Sequence, residues 1–156
     1  MSAGTRSTTR PGRSAPAAAS GRIRNASLAV LVLLVVEYGI GMYINLYVTV
    51  PKADHGGSLG SAVSNGPATI SIHAVLGLLL GLGALAVLVQ SIVVRHWGLI
   101  ALSVVGLLAM ILASVTGTSY TSTGDASDSM GMSVMTGIAL LCYAGIMYLL
   151  RPRRTA

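Results

Sequence analysis

The chain has 156 residues, a formal net charge of +6, 53% hydrophobic residues and 9% charged ones. An ordinary soluble domain carries about 25% charged residues. The 10 basic and 4 acidic residues present cannot coat a water-facing surface, which excludes a soluble globular enzyme. The single cysteine, Cys142, excludes an intrachain disulfide and a cysteine metal cluster.

Residues 1–25 read as a disordered basic cytoplasmic tail. They are Ser, Thr, Ala, Gly, Pro and Arg-rich, carry Arg6, Arg10, Arg13, Arg22 and Arg24, and contain no acid. An organelle transit peptide has a similar composition. A secretory signal does not fit, because the apolar run that follows is too long and lacks a small-residue cleavage site. Four apolar segments come next, at 27–50, 68–94, 97–117 and 130–150, each reaching the roughly 20 residues that span a bilayer. Backbone groups in hydrocarbon must be satisfied within the segment, so all four are expected to be helices. Arg95-His96 joins the second to the third. The links 51–67 and 118–129 are longer and polar, and a basic C-terminus covers 151–156. The predicted fold class is all-α: one domain over 26–150, an integral membrane bundle of four antiparallel transmembrane helices.

Lys and Arg placement predicts orientation. The five tail arginines, Arg95, Arg151, Arg153 and Arg154 fall on one side, against Lys52 alone on the other, where Asp54, Asp125 and Asp128 also fall. Both termini are therefore expected in the cytoplasm (N-in/C-in). Tyr43, Tyr47 and Tyr120 suit the outer interface, Trp97 and Tyr148 the inner one. Lipid supplies no hydrophobic reason for helices to meet, so close packing needs small residues. Gly41, Gly77, Gly81, Gly106 and Gly137 are the expected packing glycines, serving either the bundle or a dimer.

The polar residues within the segments carry the functional information. Counted from the outer ends, Glu37, Gly81, Ser103 and Tyr143 are expected to share a layer near the bilayer middle. Glu37 is the one acid in any segment, and no Lys or Arg lies in the spans to pair with it. An ionised carboxylate there costs at least about 2.5 kcal/mol. The expectation is a mostly protonated Glu37 facing the bundle, bonded to Tyr143 or Ser103, with Gly81 leaving it room. Its role is either a structural hydrogen bond or a proton relay or ion site. A second layer nearer the outside holds Asn45, His73 and Met135. The same counting sets His73 some eight residues above Glu37, about 12 Å at 1.5 Å per residue, which argues against a direct Glu37–His73 pair. His73 is read either as a polar helix-end residue bonded to Asn45 or as an axial haem b ligand partnered by Met135. Met132 and Met135, with His73 and His55, offer the alternative of a copper(I) site, although methionine is also a common gap-filler. Asp125-Ala-Ser-Asp128 is too short and sparse for a calcium loop and reads as a solvated turn. Cys142 reads as an inert buried thiol. No catalytic constellation appears, and no nucleic-acid partner is expected, because a basic tail beside a membrane meets anionic lipid first.

The run Gly41-Met-Tyr-Ile-Asn45-Leu-Tyr-Val-Thr-Val-Pro51, with Ile72-His73-Ala-Val-Leu-Gly77 and Ser114-Val-Thr-Gly117, resembles a group of small bacterial four-helix integral membrane proteins over about 26–150. That resemblance implies no particular activity. The His73 helix start also resembles one histidine helix of haem-b four-helix membrane proteins, whose second histidine has no counterpart here. The leading expectation is a non-enzymatic multi-pass protein of the bacterial inner (plasma) membrane, without cofactor, in contact with lipid and with itself or a larger membrane complex, in an accessory or assembly role. The alternatives are a redox protein holding haem b or copper at His73 and Met135, and a proton-coupled carrier using Glu37.

Overall fold

The computed structural model describes residues 14–48, 60, 63–64 and 67–151. Four helices account for nearly all of it: α1 (Ser14–Tyr47), α2 (Ala68–Val94), α3 (Trp97–Thr123) and α4 (Ala126–Leu149). Each is long and apolar enough to cross a membrane. The chain is thus all-α, with the composition and span count of a multi-pass membrane protein. Residues 1–13, most of 49–66 including Lys52 and His55, and 152–156 with Arg153 and Arg154 lie outside the described residues.

The helices form a ring. Contact runs from α1 to α2, α2 to α3, α3 to α4 and α4 back to α1, while among the described residues no Cα atoms of the diagonal pairs come within 8 Å. The inward stripes follow the alternating three- and four-residue spacing of helices that pack at a shallow angle. On α1 the stripe is Ile23, Ser27, Val30, Leu34, Glu37, Gly41 and Ile44. On α2 it is Ile70, His73, Gly77, Leu80, Ala84, Val87 and Ser91. The outward faces stay apolar, with Val32, Leu46, Leu78, Leu82 and Leu141 exposed. Ser27, Glu37, Ser91, Ser103 and Ser129 are buried among the aliphatic residues of the interior, as a lipid solvent favours.

Three boundaries differ from the sequence expectation. Helix α1 begins at Ser14, so 14–25 is helix rather than disordered tail. Ala17, Ala18 and Ala19 have the highest helix propensity, and Ile23 is buried against the core. Helix α3 runs on to Thr123, and α4 starts at Ala126, so the expected loop 118–129 shrinks to Gly124-Asp125. Hydroxyls do not break the helix there, because each has an acceptor. Thr118 donates to the Ser114 carbonyl, Thr121 to the Thr118 carbonyl and Ser122 to the Ser119 carbonyl, at 2.8–2.9 Å, and Thr123 has its acceptor on α4. Gly124 closes α3 in the left-handed region at φ 68°. In the first turn of α4, Asp128 accepts from Ser119 at 2.7 Å and from Thr123 at 2.8 Å, where the helix dipole favours an acid. The expected solvated turn at Asp125–Asp128 is therefore largely helix. The Arg95-His96 link is as expected. Arg95 takes a left-handed φ of 56°, and His96 Nδ1 caps α3 by accepting from the Leu99 N–H at 3.3 Å.

The α3–α4 seam is the most extensive, and glycine builds it. A Cβ on Gly106 would stand 3.0 Å from the ring of fully buried Tyr143, and one on Gly145 3.1 Å from Leu102. On the α1–α2 seam, Gly83 faces Val30 at 3.0 Å. Gly81 and Gly137, expected to serve as packing glycines, have nothing within 4 Å of that position. Gly106→Val should therefore cost about 1–3 kcal/mol through overpacking, read from unfolding in mixed micelles, while Gly137→Ala should not destabilise. Equal behaviour of the two variants would overturn this account of the seam.

Candidate intramembrane site

The carboxylate midway along α1 meets the imidazole of α2. Glu37 Oε1 lies 2.9 Å from His73 Nδ1, with the Glu37 side chain 10% exposed and the His73 side chain 28%. The approach has ion-pair distance but not the alignment of a good hydrogen bond. This corrects the expectation that the two are too far apart. Gly77 is level with Glu37, and Gly41 is level with His73: a Cβ on Gly77 would stand 3.5 Å from Glu37 Oε1, and one on Gly41 3.4 Å from His73 Cε1. The partners are thus one helical turn apart, about 6 Å, and meet on the diagonal. Each lies over the glycine one turn from the other, so both side chains extend along the seam instead of being pushed out of it.

The expected mid-membrane layer separates into two. Counting from an outer end fails because α3 extends six residues past Gly117 and α4 begins four before Met130, while α1 ends three before Val50. Ser103 belongs to an inner layer. Ser91 donates to the Val87 carbonyl at 2.8 Å, so its one proton is used, and Ser103 is the donor in the 3.1 Å Ser91–Ser103 bond. Tyr143 packs over Gly106, and its hydroxyl has no partner. Neither Ser103 nor Tyr143 is the partner of Glu37, and Gly77 takes the place expected of Gly81. Asn45 does not bond His73; its Oδ1 accepts from Ser129 at 3.1 Å, tying α1 to α4.

A cavity of about 40 Å³ adjoins the pair, with Glu37, Asn45, His73, Ser129, Ser133 and Thr136 in its wall. That volume suits a few water molecules. Met132 also lines it, with its sulfur against Gly117, whereas Met135 does not. Met42 and Tyr38 complete the α1 side. His55 lies outside the described residues, and His96 is spent on the α3 cap. Among the described residues, no three of His, Cys, Asp and Glu converge. Ser129, Ser133 and Thr136 were missed from the sequence. Their spacing of four and three on one helix face, running inward from the outer end, was the signal that could have found them.

The α4 hydroxyls of the wall all have their protons engaged. Ser129 donates to Asn45, Ser133 to the Ser129 carbonyl at 3.0 Å and Thr136 to the Met132 carbonyl at 2.8 Å. Glu37 Oε2 is buried without a partner. Comparison with known families, with curated proteins and with solved structures gives no match to this chain. The resemblances drawn from the sequence rest on the quoted residues alone.

His73→Ala would leave the carboxylate buried with neither oxygen partnered. It should cost about 3 kcal/mol, and adding Glu37→Gln should recover most of the loss. Double-mutant unfolding in mixed micelles checks this, and equal losses in the single and double variants would rule out a stabilising contact.

Proposed function

We propose that the chain is a non-enzymatic multi-pass protein of the cell membrane whose Glu37–His73 pair takes up and releases a proton inside the bilayer. The observation that carries this reading is the 2.9 Å contact between Glu37 Oε1 and His73 Nδ1, well inside the spans. With one shared proton the pair is net neutral, whichever partner holds the proton. Loss of that proton leaves an uncompensated carboxylate at a depth where charge is costly. Intramembrane acids and histidines mark ion pathways and proton relays, and histidine changes charge near neutral pH. The haem and copper readings draw less support, since Met135 is not in the wall and the cavity has the volume of a few waters.

The four spans are antiparallel in this reading. Along the α1–α2 seam, Val30 meets Gly83, Glu37 meets Gly77 and Gly41 meets His73, so numbers rise on one helix as they fall on the other. Cation placement puts both termini in the cytoplasm. The pair then lies in the outer half, and protons reach it through the end marked by Asn45 and Ser129. Outward faces rich in Val and Leu suit lipid or the helices of a larger complex, consistent with an accessory role.

Infrared difference spectra across pH 5–8 test the proton. A carboxyl band that titrates in the native chain and disappears in Glu37→Gln is expected, and a native chain with no carboxyl change overturns the reading. Orientation has its own test. With Cys142 replaced by Ala, Arg153→Cys should react with an impermeant maleimide in inverted vesicles and not in intact cells; the reverse pattern overturns the cytoplasmic C-terminus.

A further inference from the structure

We propose that the outward face of α1 binds one anionic phospholipid, with its phosphate at Arg22, Arg24 and Asn25 and one acyl chain along the helix. Neither Glu37 nor His73 takes part. An open groove on this face is lined by Asn25, Leu28, Ala29, Val32, Leu33 and Val36, all of them on α1. Asn25, Ala29 and Leu33 form one four-residue row on the helix surface and Leu28, Val32 and Val36 the next, with a furrow between them. The buried residues Ile23, Val30 and Leu34 occupy the opposite side of α1, so no side chain of the bundle fills the groove. Leu28, Val32 and Val36 are each about half exposed, and the small Ala29 leaves room between them.

Length and charge identify the guest. Asn25 and Val36 are eleven residues apart, or about 16 Å at 1.5 Å per residue. The hydrocarbon core is about 30 Å thick, so the groove has the depth of one leaflet and the length of one acyl chain. A partner helix would engage the whole span instead. At the mouth, Arg22 and Arg24 flank Asn25, the one polar residue of the lining. Both arginines are exposed, and neither side chain has an ion pair or hydrogen bond among the described residues. Of the described acids, Glu37 lies thirteen residues beyond Arg24, and Asp125 and Asp128 lie at the far end of the bundle, where Ser129 meets Asn45.

The chemistry at the mouth suits a phosphodiester. Guanidinium groups grip phosphate oxygens with paired hydrogen bonds, and the Asn25 amide adds a neutral donor. A zwitterionic headgroup brings its own cation to the same place, so a net negative headgroup is preferred. A second copy docked through this face about a two-fold axis would set arginines against arginines with no acid between them.

Fluorescence quenching in bilayers tests the site. The full chain with Trp97→Phe and Val32→Trp carries its one indole in the groove. The quencher is phosphatidylglycerol brominated midway along its acyl chains, set against phosphatidylcholine brominated in the same way. Phosphatidylglycerol should occupy the groove at least about fivefold more favourably at low salt. Arg22→Gln combined with Arg24→Gln should bring the two lipids to parity. Arg151→Gln, which removes a charge from the same end of the bundle but from another helix, should leave the preference in place. Equal quenching by both lipids overturns the site. A preference lost as readily in Arg151→Gln also overturns it, because the selectivity then belongs to the charge of the whole end. Weak quenching by both lipids, with Val32→Cys cross-linking between chains in a Cys142→Ala background, shows a second copy on this face and overturns the lipid.

Discussion

In hydrocarbon, two helices gain nothing from hiding leucine against leucine, so whatever holds this bundle together must come from close approach and from polar contact. Both are present, and they coincide. Gly106 and Gly145 let α3 and α4 approach until Tyr143 and Leu102 lie on the facing backbone. On α1 and α2 the residues that meet across the seam are themselves the polar pair. Position, packing and chemistry at Glu37 cannot be separated, because the space that admits the carboxylate is the space vacated by Gly77.

The reciprocity of this arrangement matters. Glu37 and Gly41 on one helix face Gly77 and His73 on the other, so each helix offers one reach and one recess. An imidazole or carboxylate set against a full-sized side chain would be driven toward lipid. The second glycine is therefore as much a part of the site as the titratable residues. The hydroxyl stripe of α4 finishes the enclosure, and Asn45 ties that helix back to α1 through Ser129.

Much of the architecture was legible in the chain. Four runs of sufficient length, the two-residue Arg95-His96 link and the apolar exterior follow from hydropathy alone, because a bilayer constrains length and polarity severely. Helix ends were less legible. Thr118, Thr121, Ser122 and Thr123 read as loop by composition, yet the first three hydroxyls find acceptors on their own helix and the fourth finds Asp128. That error propagated to the site. Depths measured from misplaced ends put Glu37 beside Ser103 and Tyr143 and moved His73 out of its reach. Glu37, Gly41, Asn45 and His73 were all singled out in the sequence; their grouping was not, since it depends on the register between helices. The alternating three- and four-residue stripe, which places Glu37 and Gly41 on one seam and His73 and Gly77 on the next, would have supplied that register.

The connections between the spans are unequal. Two-residue turns tie α2 to α3 and α3 to α4, whereas twenty residues separate the end of α1 from the start of α2. Three helices are thus joined closely in series, and the fourth packs against both ends of that series, on α2 and α4. Glu37 rides on that fourth helix, and its counterpart His73 belongs to the joined set. The Glu37–His73 contact therefore joins the two consecutive spans that the sequence separates most widely, and it does the fastening there that a short turn does at the other two joins.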